Sequence, residues 1–500
     1  MKSVIRLFVF FYVSLLSFSL SSETILRVAH PAASPTKGNP FGASGTTPTL
    51  FYTSIYDRIT DIDNNGNVVP ELALSWKSVN QNQWRFKLRP GVKFSNGEKF
   101  TSETIKTVFD TVRGEAINAR SWYREAPNYP RVEIVDELTV DIFTLYPSPL
   151  APAYLSALWV VPHGHLNKVG LEGLVNNPIG SGPFKLDSWE PERIILSAYK
   201  DSWRKPKIDK MEALIVPDSS ARYQALVTGQ IDVAVAISTD QIDILEMNGH
   251  RAEMRNPIRT LVLVLKSNDA KSPFSNVKVR QAFNYAVDKE TIAKILLSDL
   301  VKPASQPALP FAIGYDETLN PYPYDPERAI QLLNEAGYKN GVSFIIETVS
   351  GFIPNDTAIL QKIASDVAKV GMNMEVRLIT YPQLARNSTL GEMGGHGFIM
   401  DFTNRYADAL KPIINTNHSC RGAGPWFCEE SIQQVINEAD KTFDLDKRIM
   451  LTKNIVKYYR DVAQSLFLFP LIGLEGIHKR VKVWKPMNDR FMYHLVEIHD

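Results

Sequence analysis

Along most of this chain, apolar side chains recur either every second residue or every third to fourth, and the alternation of these rhythms organises the molecule. Glu23 to His30 (ETILRVAH) predicts a strand, and the polar, turn-rich stretch from Pro31 to Thr49 predicts a long loop. A helical pattern follows in LFYTSIYDRI, then a turn at Asp63 to Gly66 and the segment PELALSW from Pro70 to Trp76. Trp84, Phe86 and Leu88 alternate as in a strand. With turns at Pro90-Gly91 and Asn96-Gly97 and a short strand between them, they predict a hairpin. Thr101 to Arg113 predicts a helix, with Thr101 as its cap and Glu103 in its first turn.

Strand patterns return from Arg131 to Pro147, and a second turn-rich boundary lies at Asn176 to Leu186. Beyond it the helix-like SARYQALVTG leads into the strand-like IDVAVAI, the rhythm of an α/β domain. Arg259 to Ser267 (RTLVLVLKS) predicts a central strand, or the hinge into the next domain. That domain opens with VKVRQAFNYAVDKETIAKILL, an amphipathic helix. It continues with a helix from Pro326 to Gly337 and another closed by Gly371, after which MNMEVRLIT predicts a strand. There is no internal repeat and no low-complexity tract.

The N-terminus departs from this rhythm. Lys2 and Arg6 precede an uncharged apolar run from Leu7 to Leu16 and the small-residue segment SFSLSS, the order of a cleaved secretory signal ending near Ser22. The apolar run is well short of the roughly 20 residues a spanning helix needs. No cysteine stands near the cleavage site for a lipid anchor, so the mature chain is expected free in a periplasm. Losing the signal leaves 53 basic against 54 acidic side chains, a balance that favours neither nucleic acid nor an anionic membrane. The remaining length, about 478 residues, predicts two or three domains, since single cores stop growing near roughly 250 to 300 residues. The two cysteines, Cys420 and Cys428, read in an exported chain as a short structural disulfide. A metal site would want more ligands, and a catalytic thiol would not come paired there.

No run matches the common phosphate-binding, dinucleotide-binding, zinc-protease or GxSxG nucleophile-elbow signatures. His163 and His165 alternate as a ligand pair can, but a polar loop beside Pro162 and Gly164 is the more frequent reading, and no metal site or cofactor is proposed. Gly180 to Phe184 (GSGPF) lacks the lysine and following helix of a phosphate loop and reads as a tight turn.

Several runs taken together resemble the peptide/nickel class (family 5) of extracytoplasmic solute-binding proteins that serve ABC importers. They are YDRI from Tyr56, PELALSW from Pro70, FKLRPGVKFSNGEKFTSETI from Phe86, PIGSGPFKL from Pro178 and ALVTGQIDV from Ala225. After these come VRQAFNYAVDKETI from Val279, YDPERAIQLLNEAGY from Tyr324, and Leu468 to Leu471 around Pro470. The resemblance implies an α/β, two-lobed periplasmic binding protein fold (class II-like, cluster C) with an extra domain inserted in the first lobe. It places lobe I at residues 23–55, 176–264 and 476–500, the insertion at 56–175, and the second lobe (domain III) at 265–475. It also implies a monomer that closes on a small solute and hands it to importer permease subunits, without catalysis.

Two loops are similar to the dipeptide-binding branch. In Ser44–Gly45–Thr46–Thr47, the glycine lets a ligand backbone approach and the hydroxyls and amides can extend it; alone, this would read as a Ser/Thr turn. In Gly397 to Leu410, just before the cysteine pair, the resemblance places at Asp401 a carboxylate for the ligand's ammonium, the other reading being a local cap or an ion pair with Arg405. Ser350 stands where that branch uses an arginine for the ligand's carboxylate, so Arg405 becomes the candidate substitute. Tyr381 and Trp426 are candidate aromatic walls. The same scaffold also serves glutathione, opines, nickel chelates and oligosaccharides. The rivals are a secreted hydrolase using Asp401 with Asp408, and a chaperone-like peptide binder.

Overall fold

Two sheets with parallel centres carry the architecture, and the chain passes between them twice. The computed structural model describes residues 23–42, 46–114, 128–349, 351, 353, 355–422, 424–488 and 490–499; the signal expected at 1–22 lies outside them. The first sheet has seven strands, in the order Phe184–Trp189, Arg193–Ala198, Lys210–Ile215, Ile25–His30, Val233–Val235, Gly473–Ile477 and Arg251–Arg255. Ile25–His30 is parallel to both of its neighbours, and the remaining pairings are antiparallel. The second has five, in the order Met372–Leu378, Val342–Thr348, Gly397–Thr403, Arg259–Leu265 and Ser465–Pro470. Its first three strands are parallel and the last two antiparallel to their neighbours.

Arg259–Leu265 shows why its sequence is almost wholly apolar. Val262 and Val264 pack with Phe398, Phe402 and Trp426 on one face of the sheet, while Leu261, Leu263 and Leu265 pack with Ile399 and the helices on the other. A strand covered on both faces reads as a continuous hydrophobic run. It also corrects the expected domain limits. Because it pairs on both sides within the second sheet, residues 259–264 belong to the second lobe, and the crossing occurs at Asn256 to Ile258. The return crossing is Leu471–Ile472, so Gly473–Ile477 already lies in the first sheet, ahead of the expected 476. The two crossings run side by side, with the Leu471 N–H donating to the Arg259 carbonyl at 2.8 Å.

The insertion is built on a four-stranded antiparallel sheet, ordered Ala73–Asn80, Gln83–Leu88, Thr139–Phe143 and Arg131–Asp136, with helix Ser102–Gly114 against it. The hairpin expected after Leu88 is not what forms. Gln83–Leu88 pairs instead with the preceding PELALSW region, leaving only a single bridge, Lys93 to Lys99, beyond the Pro90-Gly91 turn. Phe86, Phe94, Val108 and Val140 of the insertion join Leu26, Val28, Met211 and Ala213 of the first sheet in one continuous core. The helix expected from Val277 to Leu297 is two helices, Val277–Ala286 and Lys289–Leu296. It breaks where Asp288 turns out to cap the second, its carboxylate accepting from the Thr291 N–H at 3.0 Å.

Candidate functional site

In open sheets of this kind ligands sit outside the carboxyl ends of the parallel strands. In the first lobe those ends are His30, Ile215 and Val235, and they are drawn together by charge. The buried Arg222 guanidinium donates to the carbonyls of Val216, Pro217, Val235 and Ala236 at 2.7–2.8 Å. Arg255 pairs with Glu475 at 2.8 Å, both buried, at the first crossing. Burial lifts the Glu475 carboxyl, and Arg255 opposes that lift. His30 is fully enclosed, its ring 4.4 Å from that of Phe51 and its two nitrogens without hydrogen-bond partners. Desolvation first, then Arg255 and Arg222, hold its pKa down at about 3, so it is neutral. At the start of the insertion, buried Asp57 pairs with Arg204 and accepts from the Ser181 hydroxyl at 2.7 Å and the Trp203 indole at 2.8 Å.

The facing edge of the second lobe is looser. Thr348, Leu378 and Thr403 end its parallel strands, and Arg259 opens the antiparallel neighbour. Leu261 lies directly opposite Asp401 and Arg259 opposite Thr403, so Arg259 and Asp401 are diagonal on one face. Their ion pair is 3.5 Å long with side chains 34% and 21% exposed, and the Thr403 hydroxyl donates to the same carboxylate oxygen at 3.3 Å. Both contacts use one carboxylate oxygen, so Asp401 keeps acceptor capacity on the other. Its neighbour is Arg259, not the Arg405 that local sequence suggested.

The other candidates separate. Ser44, Gly45 and Ser350 lie outside the described residues; Thr46 and Thr47 open helix Thr46–Ile55 and do not continue a loop. Trp426 is a correction. It is 2% exposed within a core cluster, at 4.8 Å from Phe398, and its indole N–H donates to the Ser388 carbonyl at 3.1 Å, so it is packing and not a ligand wall. Tyr381 is 64% exposed at the start of helix Tyr381–Leu390, whose cap is Thr380. Cys420 and Cys428 are disulfide-bonded.

The carboxylate pair imagined for a hydrolase does not form either. Asp408 is buried against Arg448 at 2.9 Å and accepts from the Tyr154 hydroxyl at 3.3 Å, which uses its capacity. His163 and His165 take separate partners, the Thr104 hydroxyl and the Asn177 carbonyl. Among the described residues no cluster of three metal-ligating side chains occurs.

Sequence reasoning missed the contact between the insertion and the second lobe. Tyr154 reaches Asp408, stands edge-on to Tyr406 at 5.2 Å, and lies under the Lys411 ammonium at 4.2 Å. Ile62 and Ala153 share an apolar cluster with Ala407 and Phe311. It also missed Arg58, Asp61 and Arg490, which line one small pocket with Arg405. No local pattern marks these residues, because their partners lie hundreds of positions away.

Comparison with known proteins agrees with this geometry. Residues 67–423 match the family described as bacterial extracellular solute-binding proteins, family 5 Middle. A glutathione-binding protein, GsiB, of Pectobacterium atrosepticum is 30% identical over 69% of this chain and 68% of its own. The dipeptide-binding protein of Escherichia coli K12 is 28% identical over 93% and 92%. NikA of Brucella suis, solved with Fe(III)-EDTA, superposes with a TM-score of 0.84 at 22% identity, covering 95% of this chain and all of that one. These relatives are binding proteins. No helix among the described residues is long and apolar enough to cross a membrane. Two sheets facing across a double crossing, an insertion packed on the first, and a match over most of the length make this chain a member of the family 5 bacterial extracellular solute-binding proteins.

Proposed function

We propose that this protein captures a short peptide or peptide-like solute in a periplasm, between the two carboxyl edges, and delivers it as a monomer to the permease of an ABC importer. The observation that carries the reading is Asp401. It is a partly exposed carboxylate at the strand edge, held among the described residues by a 3.5 Å pair and one hydroxyl, in a chain that aligns with a dipeptide-binding protein over 93% of its length. A ligand ammonium brought against it during closure gains a charge-assisted hydrogen bond in a site losing water. The Ser44 to Thr47 segment would meet the ligand backbone. A second reading, glutathione, is favoured by the GsiB match; as a modified tripeptide it offers the same ammonium with an additional carboxylate.

Thermal-shift screening against dipeptides, tripeptides, glutathione, oligosaccharides and nickel chelates tests both readings. A shift with peptides or glutathione that is lost in Asp401→Asn is the expected result. Shifts with sugars or chelates alone would overturn it, and mass-spectrometric detection of a cleaved product would sink the carrier role.

A further inference from the structure

Arg259 and Asp401 stand on one face of the second sheet, at the edge turned to the first lobe, and little else claims either side chain. Their closest approach, Nη1 to Oδ2, is 3.5 Å, against 2.8 Å in the enclosed Arg255–Glu475 pair. Among the described residues the Arg259 guanidinium donates no hydrogen bond, and the Asp401 carboxylate accepts one, from the Thr403 hydroxyl. Their backbones, by contrast, are fixed. Arg259 is paired with Thr403 in the ladder, and its carbonyl accepts from the Leu471 N–H at 2.8 Å. Next to it the Asn404 N–H donates to the Ile258 carbonyl at 2.6 Å. Two rigid strands thus hold a guanidinium fork and a carboxylate side by side, with donors on one and an oxygen on the other to spare.

Such a pair has no net charge to offer. A lone ammonium drawn to Asp401 also meets the Arg259 guanidinium within a few ångströms, and that repulsion offsets much of the attraction. A ligand that brings its own carboxylate beside the ammonium escapes this. The four charges then alternate in sign around a ring, with the ammonium on Asp401 and the carboxylate on the Arg259 fork. Spacing decides which ligands can do so. In an α-amino-acid head both groups sit on one carbon, with the nitrogen about 2.5 Å from the carboxylate carbon, whereas the two ends of an extended dipeptide are roughly 6 Å apart. The 3.5 Å protein pair matches the first.

We propose that Arg259 and Asp401 together bind an α-amino-acid head of the captured solute, and so select peptide-like molecules whose ammonium-bearing carbon keeps a free carboxylate, as in a γ-glutamyl peptide. The proposal rests on the capture reading above and narrows its ligand class. An ordinary α-linked peptide has that carboxylate locked in its first amide and presents the ammonium alone. Glutathione, whose first linkage is γ-glutamyl, belongs to the selected class.

The test compares γ-glutamylglycine with α-glutamylglycine, and with Ala-Ala as an ordinary dipeptide, by calorimetry on the wild type, Arg259→Gln and Arg259→Lys. The two glutamyl isomers have the same atoms and net charge and differ in which carboxylate stands beside the ammonium. The wild type should bind the γ isomer at least about tenfold more tightly. Arg259→Gln should level the isomers and Arg259→Lys should keep part of the preference, both with unliganded melting temperatures within about 1 °C of wild type, because the pair is partly exposed. Equal binding of the isomers by the wild type, or preference for the α isomer, overturns the proposal. So does a γ preference that survives Arg259→Gln. If Ala-Ala binds and the γ isomer does not, the proposal fails and the capture reading stands; if none of the three binds, the short-peptide reading fails with it.

Discussion

The two edges of the cleft carry similar residues in opposite states. On the first-lobe side, Arg222, Arg255 and Arg204 are each committed to carbonyls or to a buried carboxylate. On the second-lobe side, Asp401 and Arg259 share a long, half-exposed pair, and Arg405 has no partner among the described residues. Satisfied buried charges lock geometry; half-satisfied ones at a closing edge are available to a visitor. One lobe is thus a rigid platform, and on the reading proposed above the other presents the groups that would meet the solute.

The largest expected effect lies on the platform. Asp57→Ala leaves Arg204 buried and unpaired, which costs about 3–5 kcal/mol, so the protein should melt roughly 10 °C lower or fail to fold. A melting temperature within about 2 °C of wild type would remove the platform from the comparison.

Across the cleft, Asp401→Asn should leave the unliganded melting temperature within about 1 °C, since an exposed pair contributes roughly 0–1 kcal/mol. Peptide affinity should fall about 10- to 100-fold, as loss of a charge-assisted bond does. Loss of stability with affinity intact would make Asp401 structural and erase the difference between the edges.

A smaller effect should depend on pH. Glu71 titrates at about 8 when folded, above its ordinary 4.5, mainly through burial. The unfolded chain therefore ionises first, and the cost of folding grows as pH rises from about 4.5 towards 8. Glu71→Gln should raise the melting temperature by roughly 3–6 °C at pH 7.5, about 1–2 kcal/mol, and by little at pH 4. A gain that did not depend on pH would place the effect in packing.

The smallest effect is expected at Tyr381. Being 64% exposed, it should tolerate alanine within about 0.5 kcal/mol of stability. Titration of the variant with the best peptide then reports whether the ring meets the solute. A tenfold loss would add it to the cleft.

Local patterns carried much of the fold, and particular residues show where they stopped. Pro326 and Gly337 bracket a helix that forms from Pro326 to Glu335, because capping chemistry is contained within a dozen residues. The hairpin after Leu88 failed because turn residues permit a reversal without choosing the partner strand, and the Ala73–Asn80 strand offered the longer ladder. Trp426 was misjudged because an aromatic in a loop reads alike whether it faces a ligand or a core; only Phe398 and Ser388 distinguish the two. Asp401 was singled out through a family-like loop, with Arg405 as its local partner, while its actual ion-pair partner Arg259 was not foreseen, being 142 positions away along the chain.

By itself, then, the sequence determined what short-range physics governs: the strand and helix rhythm, the helix caps, and the double-sided burial that makes Arg259–Leu265 apolar throughout. The tertiary structure alone decided which charges are spent. Whether an arginine is neutralised depends on groups brought to within a few ångströms by folding, as Asp57 is to Arg204 and Asp408 to Arg448. Coulomb and desolvation energies follow that distance and burial, not the separation along the chain.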